Sequence, residues 1–294
     1  MRVYRKHWWV PWAFLALPLA MYLVWVIIPI IQTLSLSFTS WDGLSPTTRF
    51  IGWRNFEDLF HDSIFWTSIQ NNIRWLILFI LVPVPGGLAI ALLLDQKLPG
   101  NKMYKTLFYL PMTLSFVVIG LVWSWIYDPQ YGALTTALNS IGLSSLNRAW
   151  LNDPSIVTYS LVFAAIWRQI PYIMVLYLAG LKNVPPEMVE AGIVDGANRV
   201  QRFWYIIFPM LKPATIIAVT VSVIDSLRSF DIVFVMTRGG PFYSSNVLAN
   251  YMYIEGFHNY RMGYGSAIAV IQFAITFGFI LVYLSNVMKS EGVD

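Results

Sequence analysis

Six long apolar stretches, separated by polar segments, leave this chain few folds to choose from. The first runs from Val10 to Leu36 without a charged side chain, and the others are Asn72–Leu94, Leu107–Tyr127, Ile156–Leu181, Ala214–Met236 and Tyr264–Val287. Each is near or above the ~20 residues that a helix needs to cross ~30 Å of hydrocarbon. Inside a bilayer every backbone polar group must be satisfied within its own segment, so stretches of this length become helices. The run that begins at Val10 is too long for a cleavable leader. Composition agrees: 57% of the 294 residues are apolar and 12% are charged, against roughly 25% charged in a soluble domain. The expected fold is an all-α membrane protein with six transmembrane helices, residues 1–294 forming one transmembrane domain.

Lys and Arg orient the helices. One set of segments carries Arg2, Arg5, Lys6, Lys97, Lys102, Lys105, Lys182, Arg199, Arg202, Lys212 and Lys289; the opposite set carries only Arg49, Arg54, Arg148, Arg238 and Arg261. The excess of positive charge marks the cytoplasmic side. Both termini and the segment after the fourth helix are therefore expected in the cytoplasm. The outer loops differ in character. Residues 40–70 hold Trp41, Trp53, Phe56, Phe60 and Trp66 among Asp42, Glu57, Asp58 and Asp62, and residues 128–154 are rich in Asn, Ser and Gly. Such loops are either an interfacial aromatic belt with ordinary turns or a landing surface for a soluble protein.

The cytoplasmic segment 182–213 is longer than a chain reversal requires. Its stretch Glu190–Pro213, EAGIVDGANRVQRFWYIIFPMLKP, reads as a helix–turn–helix: Ala191, Ile193 and Val194 set apolar groups beside Glu190 and Asp195, and Gly196 can supply a left-handed turn. Val200, Phe203 and Trp204 then form a second apolar stripe. Residue types alone leave two readings open, a knob offered to a partner's groove or an amphipathic helix on the lipid headgroups.

Polar side chains also interrupt two of the apolar stretches. Ser222, Asp225, Ser226 and Ser229 fall at i, i+3, i+4 and i+7 and are expected on one continuous helical face, with Arg228 and Asp231 off it. A charge at mid-bilayer costs about 2.5–3.5 kcal/mol, so this face should meet protein or water. The face either lines a pathway or glues helices together, and Asp225 could be neutralised by Arg228 or Arg168. Trp167, Arg168, Gln169 and Tyr172 surround Pro171, whose ring frees a carbonyl and is expected to kink the helix. Planar polar groups beside aromatic rings suit a sugar. Arg74, beside Asn71 and Asn72, is expected to snorkel at the outer interface.

Glu190, Ala191, Gly192, Gly196, Ile206 and Pro209 fit the spacing EA(A/G)-x3-G-x9-I-x-(L/F)-P, with Gly192 for the usual third Ala and Phe208 for the usual Leu. On this spacing the chain resembles the permease subunits of binding-protein-dependent ABC importers. IGWRNF (51–56), YDPQYG (127–132), FDIVFVMTRGGP (230–241) and MGYGSAIAV (262–270) resemble the carbohydrate, maltose-type branch and extend the likeness over nearly the whole chain. The resemblance implies a type I importer fold. It implies an ATPase-coupling role for Glu190, Ala191, Gly192, Asp195, Gly196, Phe203 and Pro209. By position in WRQIPY and SVIDSLRSF, it implies a substrate role for Arg168, Gln169, Tyr172, Ser222, Asp225, Ser226 and Ser229. Several of these side chains, Arg168 and Asp225 above all, depart from the maltose pattern, so the site can transfer without the substrate. The implied partners are a second homologous permease, two ATPase subunits that hold ATP and Mg, an extracytoplasmic sugar-binding protein and membrane lipid.

Absences exclude other classes. No G-x4-GK[ST] phosphate loop is present, so ATP hydrolysis is expected in separate subunits and no cofactor in this chain. Zero cysteines exclude a disulfide framework, and His7, His61 and His258 have no metal-ligand spacing and no nucleophilic partner. No basic–aromatic patch suggests nucleic acid. An ion- or proton-coupled carrier using Asp225 and Asp231 as relays is the alternative; the absence of an internal repeat counts against it.

Overall fold

The structure is a computed structural model that describes residues 9–96 and 99–290. Arg2, Arg5, Lys6, His7 and Lys97 lie outside the described residues. The elements in chain order are α1 (Val10–Leu36), α2 (Arg54–Phe60), α3 (Ser63–Leu94), α4 (Asn101–Thr113), α5 (Phe116–Ile126), α6 (Ala133–Ser140) and α7 (Val157–Leu181). They continue as α8 (Pro186–Val194), α9 (Arg199–Met210), α10 (Lys212–Leu227), α11 (Phe230–Met236), α12 (Leu248–Tyr253) and α13 (Met262–Ser290). Among the described residues, α1, α3, α7 and α13 are long and apolar enough to span a membrane unaided. The bent pairs α4–α5 and α9–α10 bring the possible number to six.

Three boundaries differ from the sequence reading. The third apolar stretch is broken: α4 and α5 meet at 99°. Leu114 is extended there (ψ 144°), and the Ser115 hydroxyl caps the new helix by accepting the Val118 N–H at 3.3 Å. The fifth stretch is also broken. α10 ends at Leu227 and α11 starts at Phe230, so Ser229 sits in the break and does not continue the helical face of Ser222, Asp225 and Ser226. Apolar residues on both sides of each break hide it from a hydropathy reading. Finally, α3 begins at Ser63 rather than Asn72. Phe65, Ser68, Asn71, Asn72, Trp75 and Phe79 form one buried stripe at helical spacing, which carries the helix on into polar sequence.

The chain divides into two compact units, residues 1–62 with 251–274, and residues 63–250 with 275–294. In the second unit, α7 is the axis: α3, α5 and α10 all pack on it. Two apolar clusters form around it. One joins Trp75, Phe79, Ile119, Trp123, Leu161 and Ile232, and the other joins Leu88, Ala91, Ile173, Tyr177, Leu211 and Ala218. The α3–α7 crossing is close because Gly87 has no side chain; a Cβ there would lie 2.8 Å from the Met174 backbone nitrogen. Pro171 is accommodated inside α7, which runs unbroken from Val157 to Leu181. Two adjacent polar residues of α3 pin the largely buried segment 244–248. Asn71 donates to the carbonyls of Ser244 (2.7 Å) and Asn246 (2.8 Å), and the Asn72 side chain accepts the Leu248 N–H at 2.9 Å.

In the first unit, α1 has no buried residue across its most apolar window (0% buried). Residues 37–62 are ordered by Asn55, which donates to the carbonyls of Ser37 and Thr39, both at 2.8 Å. Asp62 accepts the hydroxyls of Tyr251 and Tyr264. Asp42 closes a turn: the Ser45 hydroxyl and the Ser45 and Leu44 N–H groups hold its carboxyl down at about 2.

Candidate functional site

Two places in the second unit gather the residues singled out by sequence. The first lies between α7 and α10. Gln169 is fully buried (0% exposed) and donates from Nε2 to Asp225 Oδ2 at 3.0 Å. The Gln169 Oε1 and the hydroxyl of buried Ser222 have no partner among the described residues. An unsatisfied buried polar group costs roughly 1–3 kcal/mol, so two of them beside a half-buried carboxylate amount to unspent hydrogen-bonding capacity. Ser226 and Ser229 are also buried, but each hydroxyl is used locally, on the carbonyls of Val223 (2.8 Å) and Ser226 (2.9 Å). Tyr172, half-buried, packs against the Ile173–Ala218 cluster.

Arg168 goes elsewhere. Its Nε donates to the Leu114 carbonyl at 3.0 Å, and its guanidinium lies 4.3 Å from the centroid of the Phe116 ring. It thus caps the break between α4 and α5. The carboxylate of Asp225 takes its hydrogen bond from Gln169, and Arg228 is exposed beyond the end of α10. Among the described residues, neither cation forms the ion pair with Asp225 that the sequence left open. Exposed Arg74 donates to the Asn71 side chain at 3.0 Å and, because α3 starts at Ser63, lies about three turns into the helix rather than one.

The second place is the segment 186–210. Pro186 starts α8 where a missing N–H costs nothing. The helix ends at Gly196, whose φ of +78° belongs to the left-handed region, with the Ala197 N–H donating back to the Gly192 carbonyl at 2.9 Å. Asn198 and Gln201 then form a reciprocal capping box, each side chain accepting the other's backbone N–H at 2.9 and 2.8 Å. The two helices touch where Gly192 is buried: a Cβ there would lie 2.6 Å from Ile206 Cδ1. Both of these motif positions are therefore the two halves of one contact.

The apolar residues of this hairpin separate into two groups. Phe203 turns inward, in ring contact with Trp204 and Phe208 and against the cluster around Leu211. Ile193, Val194 (86% exposed), Val200, Trp204 and Tyr205 (79% exposed) stay outside, beside exposed Glu190, Ala191 and Asp195. Pro209 is exposed near the 69° bend into α10. A ridge of exposed apolar groups beside two acids suits either a protein partner or the membrane surface.

Sequence reasoning missed the Leu114 carbonyl as the partner of Arg168, and the clamp formed by Asn71 and Asn72. The only signal for the clamp was a pair of adjacent asparagines on an otherwise apolar helix.

Residues 83–289 match the family model described as the inner membrane component of binding-protein-dependent transport systems. The chain belongs to this family. A probable ABC transporter permease protein of Pyrococcus horikoshii is 38% identical, over 91% of this chain and 92% of the relative. The trehalose/maltose transport system permease protein MalF of Thermococcus litoralis is 31% identical, over 90% and 89%. Among solved structures, a bacterial ABC transporter that imports the acidic polysaccharide alginate contains a chain that superposes with a TM-score of 0.84 at 22% identity, covering 99% of this chain and 98% of that one. The type I importer permease fold is therefore that of this chain. It is a multi-pass inner-membrane transport component that works with a binding protein.

Proposed function

We propose that this permease carries a sugar or related glycoside, handed over by an extracytoplasmic binding protein, across the inner membrane at the expense of ATP bound elsewhere. The observation that carries the reading is a combination within one helical unit: a capped, outward-facing hairpin at 186–210, and an incompletely satisfied polar group of Gln169, Asp225 and Ser222. The first suits an ATPase and the second suits a solute rich in hydroxyls. Relatives named for trehalose/maltose, for sulfoquinovosyl glycerol and for multiple sugars support the substrate class.

The complete assembly contains a second, homologous permease and two ATPase subunits that hold ATP and Mg; this chain supplies no cofactor site of its own and no hydrolytic chemistry. Both termini and the 182–213 segment face the cytoplasm. ATP closes the ATPase pair, the hairpin follows through its Gly192–Ile206 contact, and the polar group between α7 and α10 turns outward to receive solute. The test is uptake of labelled glycosides into vesicles containing the reconstituted complex. ATP inside, with binding protein outside, should drive uptake. Uptake driven equally well by a proton or sodium gradient without ATP would overturn the reading.

A further inference from the structure

A cleft of about 560 Å³ in the first unit concentrates positive charge. Its lining includes Arg49, Arg54, Arg261, Asp58, Phe50 and Tyr260. Of the few cations that the charge distribution leaves on the outer side, three thus share one cleft in loops that are otherwise acidic.

The frame beneath these side chains is fixed, and two of the three guanidinium heads are free. Arg49 lies on a small antiparallel bridge: its carbonyl accepts the Ser40 N–H at 3.0 Å, and the Ile51 N–H donates to the Phe38 carbonyl at 2.9 Å. Arg54 opens α2, which is anchored by the two hydrogen bonds of Asn55. The opposite wall is tied to the first by the Gly263 N–H, which donates to the Trp41 carbonyl at 2.9 Å. Arg261 is held by the buried carboxylate of Glu255 at 2.9 Å and stacks 4.1 Å from the Tyr264 ring centroid. By contrast, Arg49 and Arg54 are exposed and make no side-chain hydrogen bond or ion pair among the described residues. Phe50, Trp53 and Tyr260 stand exposed around them.

We propose that this cleft is a docking point for an acidic surface segment of the extracytoplasmic binding protein, with Arg49 and Arg54 receiving its carboxylates. This rests on the importer reading above. Unpaired guanidinium groups on a fixed frame suit carboxylates bidentately, and exposed aromatics beside them suit a protein surface. A free anion would gain nothing from those rings.

The experiment uses the full complex in nanodiscs of zwitterionic lipid and the binding protein that co-purifies with it, measuring ATP turnover against binding-protein concentration. Exposed charges at the rim of an interface act mainly on encounter and its salt dependence. The double variant Arg49→Gln/Arg54→Gln should raise the half-saturating concentration about tenfold at low salt, keep the rate at saturation, and flatten the salt dependence. Asp58→Asn, which removes the cleft's own acid, should shift half-saturation the opposite way. Unchanged half-saturation in both variants, or shifts in the same direction, would overturn the proposal. So would an effect that appears only when anionic lipid is added, since the cleft would then be reading headgroups. Absence of stimulation by binding protein in the unmodified complex would instead refute the importer reading itself.

Discussion

Gly192 and Gly196 lie four residues apart in one motif and are constrained for different reasons. Gly192 lacks room: a Cβ would press on Ile206 at 2.6 Å. Gly196 has open space, with nothing within 4 Å, but a φ of +78°. Gly192→Val should open the α8–α9 contact and cost about 1–3 kcal/mol by overpacking. Gly196→Val should cost about 1–2 kcal/mol through its backbone alone. Both should reduce binding-protein-stimulated ATP turnover in the reconstituted complex while leaving membrane insertion intact, and Ile206→Ala should partly restore Gly192→Val but not Gly196→Val. Between α7 and α10, Gln169→Ala leaves Asp225 without its hydrogen-bond donor. Asp225→Asn keeps the shape and removes the charge. If the pair handles solute, Asp225→Asn should lower uptake of labelled glycoside with an unchanged size-exclusion profile; helix glue would instead appear as loss of assembly in the same variants.

At the scale of elements, the break between α4 and α5 carries most of what the sequence concealed. Apolar runs marked α1, α3, α7 and α13 as long helices, because length and hydropathy are enough for that. They could not reveal Leu114 turning extended, since Phe116–Ile126 is as apolar as a continuous span would be. Helical spacing likewise placed Ser229 on the face of Ser222 and Ser226, and spacing cannot register that α10 stops at Leu227. Arg168 was legible as an intramembrane cation that needs a partner, but that partner is a main-chain carbonyl far away in sequence, which no side-chain pattern encodes. The hairpin at 186–210 was the opposite case: Gly196 marked its turn in the sequence, and Pro186 and the Asn198–Gln201 box, which that reading passed over, also act within a few residues of themselves. Arg168→Gln removes a charged hydrogen bond, worth about 1.5–3 kcal/mol, and the contact with Phe116. It should lower thermal stability in detergent and speed hydrogen exchange at residues 114–118, ahead of exchange in the buried centre of α7.

For the whole molecule, the decisive property is which side each loop occupies. A chain with zero cysteines is already a labelling background. If Lys102 and Arg199 are cytoplasmic and Asp58 and Asn147 external, as proposed, single cysteines at 58 and 147 should react with an impermeant maleimide on whole cells. Those at 102 and 199 should react only after permeabilisation. Label at position 199 from outside would invert the molecule and separate the hairpin from any ATP-binding partner. The exposed α1, with no buried side chain in its apolar window, must be covered by lipid or by another subunit. Crosslinking from single cysteines along α1 in the assembled complex should show which of the two covers each turn.

The open space around Gly196 also means that evolution is solving a problem of handedness there, not of size. An ordinary L side chain would meet nothing within 4 Å, so what resists it is the left-handed backbone, a conformation natural to the mirror-image residue. D-alanine placed at 196 by chemical synthesis and ligation should therefore be accepted where L-alanine is strained, and Asn, the chiral residue most at ease in that region, should be the least harmful genetic replacement. At Gly192 neither mirror form offers the same escape by relieving backbone strain, because its glycine serves a crowded contact and not a left-handed turn.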